Sequence, residues 1–405
     1  MKANADRVLR DLYELRKIGT HKTGVHRPTF SPEDMEARRW LVARLEEIGH
    51  EAVIDAVGNV FGRAKGDGPH LLAGSHIESQ NHAGWLDGAL GVVYALEAAR
   101  AAVEAGVPGG VDVIAFADEE GHFSGGFVGS QSFTGDLDPG FLDVAEDRSG
   151  RGTFRDLQAA AGLSDAPKVR MEEGRYKAFL EAHIEQGDNL EAEGLTIGVV
   201  TSIVGIWGYR VTFQGVQNHA GTTRMAIRRD AGRAAMRLWH RIEETFPNVA
   251  AERSVWTIGR VTLSPGDPSI IPGGAEMLVQ MRDADPSVLA RMRGQLQALV
   301  VEANAEGFCQ VTLETLVESE PAVMAPDVQA AFDAAAEAIV PGKHVRMPSG
   351  AGHDAQQIAK YLPSGMLFIP SIGGISHHWS EDSHDDDIKR GAEVYVDAAH
   401  RLLAG

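Results

Sequence analysis

His76, Asp87, Glu120, His183 and His377 stand far apart in the chain, each within a Gly-rich or strand-end segment, and Glu119 sits beside the third of them. The segments run Gly74-Ser-His-Ile-Glu-Ser-Gln, Trp85-Leu-Asp-Gly-Ala-Leu-Gly, Phe116-Ala-Asp-Glu-Glu-Gly, Glu181-Ala-His-Ile-Glu-Gln-Gly and Gly374-Ile-Ser-His-His-Trp-Ser-Glu. Imidazole with carboxylate suits zinc, manganese, cobalt or nickel, and the lack of thiolates speaks for an open site over a closed structural one. Two divalent cations sharing one carboxylate hold a hydroxide between them and polarise a carbonyl, so a nucleophile exists at neutral pH without serine or cysteine. Asp87, in a Gly-rich turn, is the expected bridge. His76 and His183 then complete one site, and Glu120 and His377 the other. Glu119 is left as general base and proton shuttle.

Each of these signals is weak alone. An acidic pair at a strand terminus is ordinarily just exposed, and specificity comes from the combination of motifs. On a regular strand, Glu119 and Glu120 would point to opposite faces, so the strand must break beside them, and Gly121 is the expected break. The chain holds 16 histidines; His82, His122, His344 and His384 lack a comparable context. His378 competes with its neighbour His377, since only one of the two can face a metal.

The elements that must position these side chains alternate in type. Ser31 and Pro32 cap a helix, β-branched runs follow at 52–57 and 71–74, and a long buried helix over 88–105 precedes a strand over 111–117. Such alternation implies an α/β architecture with a mixed, mostly parallel sheet flanked by helices, its ligands gathered at one rim of the sheet. From residue 207 to 320 the order changes to strand, helix, two strands, helix and strand, the pattern of a ferredoxin-like α+β sandwich. None of the five ligands falls within it. A catalytic domain of residues 1–206 plus 321–405, interrupted by an inserted lid or dimerisation domain over 207–320, is therefore expected. The acidic run from Glu381 precedes a last helix over 388–403, where Asp385 to Asp387 would complement the helix dipole.

With 405 residues, two domains are the default, and an apolar fraction of 43% is that of an ordinary globular protein. A net charge of −19 argues against a nucleic-acid or anionic-membrane partner, because phosphate binding needs a basic face. The single Cys309 rules out a disulfide within the chain. A charged, amphipathic N-terminus without an apolar signal segment makes the cytoplasm the expected location.

Taken together, the motifs resemble those of the zinc-dependent amidohydrolase family of N-carbamoyl-L-amino-acid hydrolases, β-ureidopropionases and allantoate amidohydrolases, relatives of the aminoacylase- and carboxypeptidase-like dinuclear metallohydrolases. The likeness spans nearly the whole chain. It includes Asp87-Gly-Ala-Leu-Gly-Val, His219-Ala-Gly-Thr-Thr, Ser349-Gly-Ala-Gly-His-Asp-Ala and Ser376-His, and the most telling segment is His183-Ile-Glu-Gln-Gly. Related peptidases place a carboxylate at the position of His183, so the histidine favours the carbamoyl and ureido branch.

The resemblance implies hydrolysis of an amide or ureido C–N bond in a small N-carbamoyl or ureido acid, with two divalent ions per subunit. Zinc is the first choice, with manganese, cobalt or nickel as alternatives. It implies that His219 reaches a neighbouring subunit to stabilise an oxyanion, so that a homodimer is expected. Gln186 and His353 would line the substrate pocket, and Arg282 would grip a substrate carboxylate. Glu381, four residues after His377, and Glu78 would support the ligands from behind.

Four positions depart from the family pattern. Glu78 stands for an aspartate that orients His76, and Ser269 for a substrate-binding asparagine. Gln280 replaces an aspartate, and Arg224 a proline. The metal set is intact while the recognition set drifts, so the alternative of an N-acyl-amino-acid or other small-amide hydrolase with the same centre stays open.

Overall fold

The computed structural model describes residues 1–123 and 125–404. Contacts divide the chain into two compact units, one built from Met1–Thr201 together with the chain from Val323 onward, the other from Ser202–Ala322.

The first unit is built on a mixed sheet. Its centre is four parallel strands, in the order Ser364–Ile369, Tyr176–Ile184, His70–His76 and Gly110–Phe116. Antiparallel strands extend both sides, Val60–Arg63 and Glu51–Ile54 on one and Ile197–Ile203 on the other. His70–His76 and Gly110–Phe116 are buried along their whole length, as strands covered by helices on both faces must be. The helix Ala89–Ala105 connects these two strands, packs against both, and contributes Val92, Val93 and Leu96 to the main core that also holds Leu71, Val113 and Leu180. Gly88 is the cap of that helix, with φ 66°, and not its first turn. The last helix spans Asp385–Ala404, so Asp385, Asp386 and Asp387 form its first turn and not a segment ahead of it. Their charges lie where the helix dipole favours them.

Because the four central strands are parallel, their carboxyl ends share one rim. His76 ends its strand, His183 is the penultimate residue of Tyr176–Ile184, Glu119 and Glu120 follow Gly110–Phe116, and His377 follows Ser364–Ile369. Ligands drawn from four chain regions thus meet where α/β sheets place their sites.

The second unit is a four-stranded antiparallel sheet in the order Val255–Ser264, Gly274–Asp283, Gly205–Gln214 and Gln310–Glu318. The helices Ala231–Thr245 and Pro286–Ala305 cover one face, where Val211, Phe213, Met277 and Val279 pack with Leu238, Leu289 and Leu296. This is the ferredoxin-like arrangement. Its first strand starts at Gly205, ahead of the Tyr209 expected, because Gly205 and Gly208 mask the apolar alternation. The chain enters and leaves this unit side by side, Ser319 N–H donating to the Ile206 carbonyl at 3.1 Å. No helix among the described residues is long and apolar enough to cross a membrane.

Candidate metal centre

Asp87 lies at the middle of the rim, with one carboxylate oxygen turned to each of two groups of ligands. Its Oδ1 is 3.3 Å from His76 Nε2 and 3.0 Å from His183 Nε2, while its Oδ2 is 3.4 Å from His377 Nε2. His377 Nε2 in turn lies 3.7 Å from Glu120 Oε2. The ligand atoms of His76, Asp87 and His183 fall within 4.8 Å of one another, as do those of Asp87, Glu120 and His377. The first trio is buried. The second opens outward through His377, whose side chain is 52% exposed. His377, not His378, faces the carboxylates; His378 Nδ1 instead lies 2.7 Å from Ser380 Oγ.

The surroundings fix the imidazoles as acceptors. His76 Nδ1 lies 3.2 Å from the Glu78 main-chain carbonyl, and His183 Nδ1 lies 2.9 Å from the Ile184 carbonyl. Each Nδ1 must carry the proton to make that bond, which leaves Nε2 with a lone pair. Gly88 N–H donates to His183 Nε2 at 3.1 Å, consistent with the same tautomer. Lone pairs therefore face the Asp87 carboxylate, an arrangement that calls for a cation between them.

The electrostatics point the same way. Burial raises Glu119 well above the usual carboxylate range, with Glu120 and Asp354 adding to it and His76 opposing it. Burial and the Asp87 charge raise Glu120 as well, and push Glu381 up to about 8. Burial also works against the Asp87 carboxylate, and positive charge on the side of His183, His377 and His76 is what holds it well below the usual range, a charge that a cation would supply where the imidazoles are neutral. The hydrogen bond to Asp87 lifts the His377 imidazole to about 9. So many buried acids without matching fixed cations fit a pair of divalent ions, and the donor set of imidazole and carboxylate fits zinc-like metals.

Glu119 faces this centre from the side, its Oε2 3.7 Å from His76 Nε2. The Glu119–Glu120 pair does not end a strand. The strand stops at Phe116, and Asp118, with φ 57°, already turns the backbone ahead of Gly121. That turn lets both carboxylates approach the same centre.

Supporting residues are arranged around Asp87. Glu381 Oε1 accepts the main-chain N–H groups of Leu86 at 3.2 Å and Asp87 at 3.1 Å, which anchors the Asp87 turn. Gln186 Nε2 donates to Asp87 Oδ2 at 2.9 Å. The Glu78 carboxylate does not take the role of the family aspartate: Oε1 is 4.0 Å from His76 Nδ1, because the longer side chain carries it past the ring. His353 is buried, its ring tilted by 60° against the His183 ring at a centroid distance of 4.7 Å, with Nε2 2.9 Å from Ser349 Oγ. Burial, helped by His183, holds its imidazole well below the ordinary range.

Two contributors have no signature in the sequence. Gln80 Nε2 donates to Glu120 Oε2 at 2.6 Å, and Arg38 pairs with Glu78. An amide and a helix arginine carry no ligand pattern, and only the fold brings them here.

The remaining expected residues belong to the second unit. His219 pairs with Ile270 in a short ladder, and the Ser269 carbonyl accepts the Ala220 N–H at 2.9 Å, so these two neighbour each other. His219 is exposed, and its Nδ1 accepts the Gly221 N–H at 2.9 Å. Arg282 is at the other end of the sheet, in register with Ile206 and Val255, its Nε donating to Gln280 Oε1 at 2.9 Å. The strand Gly274–Asp283 separates the two ends by roughly 30 Å at about 3.4 Å per residue.

Comparison with known proteins agrees with this architecture. The model of peptidase family M20/M25/M40 matches residues 47–401. The chain is 35% identical to the N-carbamoyl-L-amino-acid amidohydrolase of Paenarthrobacter aurescens, over 98% of this chain and 97% of that one. It is also 35% identical to the allantoate amidohydrolase of Escherichia coli (strain K12), over 94% and 93%. A crystal structure of an amidase of the hydantoinase/carbamoylase family from Burkholderia phymatum superposes with a TM-score of 0.90 at 44% identity, covering 100% of this chain and 98% of that one. With a shared rim of ligands and a match along nearly its full length, this chain belongs to the metal-dependent hydrolases of peptidase family M20/M25/M40.

Proposed function

We propose that the protein hydrolyses a C–N bond of a small N-carbamoyl or ureido acid at a centre of two divalent cations, zinc first among them. The observation that carries this reading is the divided Asp87 carboxylate, one oxygen facing His76 and His183 and the other facing His377, with Glu119 alongside. It is supported by the relatives' names, an N-carbamoyl-L-amino-acid amidohydrolase and an allantoate amidohydrolase. Held by these residues, divalent cations would lower the pKa of a water and polarise a substrate carbonyl.

The chain's own residues do the rest. Glu119 takes the proton from the attacking water and hands it to the departing nitrogen. Arg282 binds the substrate carboxylate through its planar fork of donors, and Ser269 contributes to the same recognition. Gln186 and His353 flank the bridging carboxylate and His183, where they border a bound substrate. His219 donates a hydrogen bond to the developing oxyanion. The separation of His219 from Arg282 within one sheet is too great for both to grip one small molecule from a single subunit. It favours a homodimer in which His219 serves the neighbouring site, with the inserted unit as lid and dimerisation element. The lone, buried Cys309 suits a reducing compartment, and we place the enzyme in the cytoplasm.

The test is turnover by the purified protein as zinc, manganese, cobalt or nickel is titrated in. Ammonia release from N-carbamoyl amino acids, allantoate or ureidoglycolate is the expected result. Release of an acid from N-acyl amino acids, with no ammonia from any ureido compound, would transfer the reading to an acylase.

A further inference from the structure

We propose that Glu78 and Arg38 are positioning residues for Glu119, acting on its main chain and not on His76. The inference rests on Glu119 being the general base. Glu78 Oε1 accepts the Glu119 main-chain N–H at 2.7 Å, and Glu78 Oε2 accepts from Arg38 Nη2 at 2.8 Å. Both side chains are fully buried. Arg38 is fixed from its other side: Nε donates to Asp34 Oδ2 at 3.0 Å, and Nη1 donates to the Gly58 carbonyl. Asp34 in turn accepts the Phe30 N–H at 2.8 Å. A continuous buried chain of charge-assisted bonds therefore runs from the helix Pro32–Glu47 to the turn that carries Glu119.

That turn needs a clamp. Asp118 has φ 57° and Gly121 φ 67°, so two left-handed residues bracket the glutamate pair. A non-glycine residue in this region is held only where its surroundings over-determine it. His76, by contrast, does not depend on the side chain at 78, since its Nδ1 is satisfied by the Glu78 main-chain carbonyl at 3.2 Å. The longer side chain has exchanged one duty for another: it leaves the imidazole to the backbone and holds the base. A carboxylate one methylene shorter cannot span from the strand end to both Arg38 and the Glu119 N–H.

The experiment compares Glu78→Asp and Glu78→Gln with the wild type in the full-length protein, reading zinc affinity by chelator competition and kcat and KM separately. We expect zinc affinity within about threefold of wild type in both, whereas loss of a side chain that orients a metal-bound histidine costs about 10- to 100-fold. We expect kcat of Glu78→Asp to fall about 100-fold with KM unchanged, within the range of a displaced general base. Glu78→Gln keeps the length and an acceptor for the Glu119 N–H, and should recover about tenfold of that loss. A 10- to 100-fold weakening of zinc affinity, or an unchanged kcat in Glu78→Asp, overturns the proposal. If the wild type turns over no substrate, the functional reading fails on its own. A crystal structure of metal-loaded Glu78→Asp then decides this one: an undisplaced Glu119 main chain overturns it, a shifted turn upholds it. Should Glu78→Asp not fold, Glu78→Gln and Arg38→Lys carry the same comparison.

Discussion

Glu119 is close to His76 but belongs to neither trio of ligands, and that distinction can be tested. Glu119→Gln keeps the shape of the side chain and removes its ability to accept a proton. It should retain the metal content of the wild type by elemental analysis while turnover drops by about 10²–10⁴; unchanged turnover would refute the role. At this scale the sequence shows donor chemistry well, because imidazole and carboxylate are properties of a residue type. Which partner each side chain takes is another matter. Asp118, Gln186 and His377 all adopt positive φ, at 57°, 59° and 54°. Non-glycine residues seldom do so, and residue types do not announce it. The contact of Gln186 with Asp87 follows from such local geometry, and the turn of the Glu78 carboxylate away from His76 from the length of its side chain; neither choice of partner is readable from residue type.

The elements succeed or fail as positioners according to how closely backbone and ring approach. Gly88, at the cap of Ala89–Ala105, has φ 66°, and a Cβ there would lie 2.4 Å from the His76 ring. Gly88→Ala should therefore cost at least about 1–3 kcal/mol from the backbone conformation alone and displace His76. A thermal melt and a zinc count would show both losses; a variant with full zinc content would contradict the role given to this cap. Helix limits with strong end signals were legible in advance. Ser31 accepts the Asp34 N–H at 3.0 Å ahead of Pro32. Strands opening on glycine were not, as the early start at Gly205 illustrates, and neither was the antiparallel direction of the strands flanking the parallel centre. Strand direction depends on pairing partners remote in the chain, which local alternation does not encode.

For the molecule as a whole, the proposed dimer makes a prediction that no single subunit could. His219→Ala and Glu119→Gln should each be nearly inactive alone. If His219 serves its neighbour's centre, mixed and re-equilibrated subunits regain up to about a quarter of wild-type turnover. Half the dimers would be mixed, each with one intact site, as two-fold symmetry requires. No recovery on confirmed subunit exchange would confine His219 to its own subunit. The catalytic unit is itself discontinuous: Thr201 and Met324 are joined by a 2.9 Å main-chain hydrogen bond, with the whole second unit looped out between them. This has a consequence for biogenesis. His76, Asp87 and His183 leave the ribosome long before His377 and Glu381, and translation delivers a complete folding unit in the interval. The first trio is thus synthesised well ahead of its supports, for the Asp87 turn gains its Glu381 anchor, the strand Tyr176–Ile184 its neighbour Ser364–Ile369 and the second trio its His377 only after the whole second unit has been made.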